Sequence, residues 1–200
     1  LKIRRILFGE HHPDLAHSCN NLGALYMVQG DFIQAEPLLK KALETFESYF
    51  GDHYPYTARS YNNLGTLYNS QENYVQAEPF LKKAVEIYEV LLGEHHIDTA
   101  RSYNNLANLY YSQSDFIRAE LLLKKAFIAF VAAMGSAHHS TQTIGDNLKT
   151  LYLVMGLDKT SIEAQFQTLR EETEKLSKQV KTTQVQVNQA HYVTGNSITI

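Results

Sequence analysis

The chain has 200 residues, 44% of them apolar and 20% charged, with a formal charge of −3. That balance is enough to bury a sizeable core and excludes disorder over most of the length, while the small net charge excludes a whole-protein pull toward nucleic acid or anionic membrane. The longest apolar stretch, 126–135, is about half of what a membrane-spanning helix needs, and the sole cysteine, Cys19, can form no internal disulfide, which points to a reducing, cytoplasmic setting.

Taken in chain order, residues 1–9 carry Leu1, Phe8 and Gly9 in the register of Leu43, Phe50 and Gly51, which close a helix further on. They are expected to be the end of an upstream helix, so that the chain is a piece of a longer array. Three units follow, at 10–51, 52–93 and 94–135, because Asn20-Asn21-Leu22-Gly23, Asn62-Asn63-Leu64-Gly65 and Asn104-Asn105-Leu106-Ala107 recur at a spacing of 42. Self-similarity at a fixed period marks stacked units that bury their apolar faces only against neighbours.

Within one unit the periodicity predicts two helices. In the second, Pro55 suits the first turn of a helix, and Thr57, Tyr61, Leu64, Leu67 and Tyr68 then hold the spacing of one buried face. The pattern breaks at Gln71-Glu72-Asn73, where Asn73 can cap the next helix, and it resumes through Tyr74, Ala77, Leu81, Ala84, Val85 and Tyr88 until Gly93. Small residues at fixed places (Gly23, Gly65, Ala107 and Ala35, Ala77, Ala119) predict close helix approach. Pro37 and Pro79 fall inside predicted second helices and predict a mild kink there, whereas the third copy has Leu121.

Residues 136–157, starting a fourth and degenerate copy with Asp146-Asn147-Leu148, predict one more first helix. Residues 158–181 predict a helix whose narrow stripe of Ile162, Phe166, Leu169, Thr173, Leu176 and Val180 would cap the third unit, since Ile128 and Val131 replace the glutamates of earlier copies there. The rival for 162–180 is a dimer seam, with a monomer the expected state. Residues 182–200 lack a strong period and read as a flexible tail.

The spacing Leu64-Gly65-x2-Tyr68 followed by Ala77-x3-Leu81-x2-Ala84 resembles the tetratricopeptide repeat, and the 42-residue period with Asn-Asn-Leu-Gly and Ala-Glu-Pro-x-Leu-Lys-Lys-Ala is similar to the kinesin light chain subclass. The usual period is about 34 residues, so each helix is expected to be about one turn longer. HEAT and armadillo repeats share the longer period but not these cores. The tryptophan place of the family holds Cys19, Tyr61 and Tyr103. The resemblance implies an all-α, right-handed superhelix whose first helices line a concave groove for a protein or peptide partner.

In that frame His17, Arg59, Arg101 and Thr143 form one groove row, Asn21, Asn63, Asn105 and Asn147 a second, and Ala24, Thr66, Asn108 and Thr150 a third. Asparagine amides can hold a peptide backbone, and arginine forks suit carboxylates, so a peptide or helix with acidic side chains is the expected ligand. Asn20, Asn62 and Asn104 are expected instead to tie neighbouring units together. Alanine at Arg59, Asn63, Arg101 and Asn105 is then expected to leave melting nearly intact. His11, His12, His53, His95, His96, His138 and His139 recur at one loop place and read as a structural consensus, not as a metal site. Neither a phosphate-binding loop nor a nucleophile or metalloprotease motif is present, so no catalysis and no cofactor are expected. The alternative is a sensor segment of a larger bacterial signalling protein that carries an NTPase or protease domain elsewhere.

Overall fold

A computed structural model describes residues 12–176. The predicted upstream piece 1–9 and tail 182–200 lie outside the described residues. Seven helices follow one another as α1 (Pro13–Val28), α2 (Phe32–Phe50), α3 (Pro55–Ser70), α4 (Tyr74–Leu92), α5 (Ile97–Ser112), α6 (Phe116–Met134) and α7 (His139–Val154). An eighth, α8, covers 159–176. Every described element is helical, and none is long and apolar enough to cross a membrane.

First helices are 16 residues long and second helices 19, so the length beyond the usual repeat is carried by both. The recurring histidines explain the starts. The Nδ1 atoms of His12, His96 and His138 accept the N–H groups of Asp14, Asp98 and Ser140 at 3.1, 3.1 and 3.2 Å, which satisfies donors that a helix start leaves orphaned. Tyr54 stands at that place in the second unit and makes no such bond; its ring stacks on Phe50 at 4.3 Å. Second helices are capped by Asp31, Asn73 and Asp115, whose side chains accept from the N–H groups of Gln34, Gln76 and Arg118. Each ends on a glycine with positive φ (Gly51, Gly93, Gly135), a conformation that costs other residues.

Adjacent helices pack in chain order, and first helices also touch one another, α1 with α3 and α3 with α5, more closely than second helices do. This puts first helices on the inner side of the curve. Unit boundaries repeat three locks. Thr57, Thr99 and Thr141 donate to the carbonyls of Gly51, Gly93 and Gly135 at 3.0, 2.8 and 2.9 Å. Tyr68 and Tyr110 donate to Glu36 and Glu78, which Lys40 and Lys82 hold at 2.8 and 2.7 Å. Those lysines hold both carboxyls below the usual range, while burial pushes the phenols up. Third, Tyr61 donates to Glu47 and Tyr103 to Glu89.

Pro37 and Pro79 sit inside α2 and α4, yet both helices run as long as α6, which has no proline. The bonds they forfeit belong to the carbonyls of Ile33 and Val75, residues 86% exposed, so water can replace the missing donor.

Gly65 marks a close approach of α3 and α4. A Cβ there would lie 2.5 Å from Leu81 Cγ and 3.1 Å from the Leu81 backbone nitrogen. Gly65→Leu is expected to destabilise by about 1–3 kcal/mol through overpacking. Gly65→Ala should destabilise by less, because fully buried Leu81 must still shift, a cost that about 1 kcal/mol of helix propensity offsets only in part. Urea unfolding of both variants measures the difference, and equal midpoints would refute the close-approach account.

Residues 159–176 pair with α7 much as earlier second helices pair with first ones. Gly156 adopts positive φ and Leu157 N–H bonds to the Tyr152 carbonyl, repeating Gly30 and Asp31 with Tyr26. Asp158 then caps one residue later than the period requires, accepting from Ser161 N–H at 2.7 Å. Ile162 and Leu169 join the core of Leu148 and Leu151, and Phe166 meets Phe127 and Tyr152 edge-on. The expected cap is thus built as the second helix of a fourth pair.

Candidate functional site

On the inner face, the first row is aligned across units: an Arg59 terminal nitrogen lies 3.0 Å from His17 Nδ1, one period away in sequence. The His17 ring meets Phe46 and Tyr56 edge-on at 4.8 and 4.1 Å. The Arg59 guanidinium lies over Tyr56 at 5.4 Å, and its Nε is buried with no partner. Arg101, in contrast, is exposed and pairs with Asp98 at 3.1 Å. The difference comes from one residue, because Tyr56 stands in the second unit where Asp98 stands in the third. Arg59 therefore holds its charge over the Tyr56 ring and against His17 Nδ1, with no carboxylate bonded to it among the described residues. Thr143 ends the row, its hydroxyl turned to the His139 carbonyl.

The second row is tied to its neighbours. Asn63, Asn105 and Asn147 donate from Nδ2 to the Oδ1 atoms of Asn20, Asn62 and Asn104 at 3.0, 3.1 and 3.2 Å. Asn62 also donates to the Ser102 hydroxyl at 3.0 Å. The two asparagine rows thus form one ladder across three boundaries. Asn63 and Asn105 are half-buried and keep an amide oxygen and one N–H uncommitted among the described residues; Asn21, at the open end, is exposed. Loss of a ladder bond costs about 1 kcal/mol. Alanine at Asn63 and Asn105 should therefore lower melting, contrary to the expectation from sequence.

In the third row, Ala24 is half-buried, and the Thr66 and Thr150 hydroxyls donate to carbonyls of their own helices, Asn62 and Asp146. Asn108 is exposed with its amide open. Sequence reasoning missed Tyr56 and Asn69. The first was detectable as a break in an acidic column; the second has a buried, unpartnered Oδ1 near the C-terminal end of α3 and left no signal in the period.

The molecule is a stack of antiparallel helix pairs with a polar, partly cationic inner wall. Residues 14–89 and 67–127 match the tetratricopeptide repeat family, and the chain belongs to that family. No curated protein matches it. Among solved structures it is similar to BtubC (BKLC) from P. vanneervenii, with 24% identity and a TM-score of 0.61 over 86% of this chain and 66% of that one. The chain therefore spans just under two thirds of BtubC. It is also similar to the nearly identical TPR-like repeats of a putative kinesin light chain from Podosopora anserina, with 20% identity and a TM-score of 0.66 over 84% of this chain and 77% of that one. A singly substituted form of those repeats gives 19% identity and a TM-score of 0.67 over 89% and 98%. The shared feature is the fold of kinesin light chain-like repeats.

Proposed function

We propose that this chain, a scaffold for protein interaction as tetratricopeptide repeats in general are, is non-catalytic, monomeric and cytoplasmic and binds an extended or helical segment carrying acidic side chains on its concave wall. The observation that supports it is Arg59: a guanidinium held in place by His17 and Tyr56, without a carboxylate, beside the uncommitted amide edge of Asn63. A carboxylate meeting such a fork gains paired, charge-assisted hydrogen bonds. Arg101 would join by exchanging its exposed pair with Asp98, which is worth little in water.

Fluorescein-labelled peptides of mixed acidic sequence test this by anisotropy. Arg59→Ala with Arg101→Ala should weaken the best binder by roughly tenfold or more and flatten its salt dependence. Neither change touches the asparagine ladder, but Arg59→Ala also removes the bond to His17, so stability should fall by about the 1 kcal/mol of one hydrogen bond while the fold is kept. Undiminished binding in that variant would remove the groove from the account.

A further inference from the structure

The third lock between units is made by Tyr61 with Glu47 and by Tyr103 with Glu89, but at the next boundary both partners are gone. Val131 stands for the glutamate and Gly145 for the tyrosine. The place is not closed by its neighbours. A cleft of about 930 Å³ opens there, with Phe127, Val131, Gly145, Ile162, Phe166 and Arg170 among its walls. We propose that this cleft is a ligand site for a small molecule with a flat apolar ring and one anionic group. It is separate from the concave wall and independent of the groove reading.

The shape of the ligand follows from the chain's own repeats, which fill the equivalent place with an aromatic ring. Gly145 supplies no ring of its own, and the Phe127 and Phe166 rings come within 3.3 and 3.7 Å of where its Cβ would lie, so the cleft opens beside those two ring edges. Those two rings meet at 84° with centroids 5.6 Å apart, an arrangement that offers an edge and a face to a third ring. With Val131 in place of glutamate, the carboxylate that holds the phenol hydroxyl at the two earlier boundaries is missing, which favours a plain ring. The volume exceeds that of one side chain and lies in the range that holds small ligands.

Charge at the mouth decides the rest. Asp146 and Lys149 neutralise one another at 3.0 Å, and Glu163 faces Lys159 at 3.9 Å. Arg170 lies on the wall with no acidic partner bonded to it among the described residues, so its guanidinium is the group that meets the anionic end of the ligand.

Anilinonaphthalene sulfonate, which joins an apolar ring system to an anionic group, is the probe for the whole chain. Its fluorescence should rise saturably with one dye bound per chain. Val131→Glu and Gly145→Tyr, which restore the residues of the earlier boundaries, should each weaken it by roughly tenfold or more. Arg170→Gln should weaken it severalfold and remove its salt dependence, while uncharged phenylnaphthylamine binds wild type and Arg170→Gln alike. If Gly145→Tyr melts early, Val131→Glu decides, since glutamate is the residue of that half-exposed place in two earlier units. No saturable binding, or binding unmoved by Val131→Glu, would overturn the proposal.

Discussion

Tyr103→Ala should cost about 3–5 kcal/mol, the range for truncating a fully buried aromatic ring. Tyr103 is 0% exposed, and it wedges between the second and third units. Its hydroxyl donates to Glu89, and Lys125 lies both over its ring at 5.1 Å and 3.5 Å from the same carboxylate. Burial first, and Glu89 second, push the phenol up, which keeps it a neutral donor at neutral pH. Tyr103→Phe separates the two contributions. It keeps the ring and removes one hydrogen bond, and Glu89 remains half-exposed and close to Lys125, so about 1 kcal/mol is the expected loss. Because stability in a stacked array is a sum of unit and boundary contributions, the alanine variant should weaken coupling of the pairs on either side. Urea unfolding followed by circular dichroism reads both variants. A cost below that of Tyr103→Phe would show that the ring is not the wedge.

Those boundary positions also show how much was legible. The period alone places the helix pairs, the Asn73 cap, the small residues of close approach and the buried tyrosines, because each depends on residues in one helix or on a fixed repeat. What the period hides is the crossing between neighbours. Asn63 reaches Asn20, a separation of 43, and Asn62 reaches Ser102, a separation of 40, because side chains on facing helices meet partners from neighbouring columns. Columns aligned at 42 therefore divide into a structural row and a binding row what the structure joins into one network. The loop histidines illustrate a different limit. Their recurrence is visible, but the role of Nδ1 as a cap depends on backbone φ and ψ at His12, His96 and His138. The fourth pair is obscured by a single added residue near Asp158, which moves Ile162, Phe166 and Leu169 out of register with Ala119, Leu123 and Ala126.

That shifted helix carries the second large effect. Leu169→Asp should destabilise the last pair by about 3–5 kcal/mol, because Leu169 is 2% exposed and a carboxylate there must be buried unpaired or expelled with its helix. Leu169 lies in the core formed with Leu148 and Leu151, and Phe166 holds against Phe127 and Tyr152 beside it. Expulsion of α8 would uncover those apolar residues on α6 and α7, a contiguous patch of the kind that drives association. Sedimentation of the intact chain should therefore find a monomer for wild type and larger species for Leu169→Asp, with part of the helicity lost. The dimer-seam reading of 162–180 demands the reverse, a wild-type dimer that the same substitution separates into folded monomers. The two differ in sign because a buried leucine that serves its own chain leaves a sticky surface when it fails, whereas one that serves a partner leaves a soluble one.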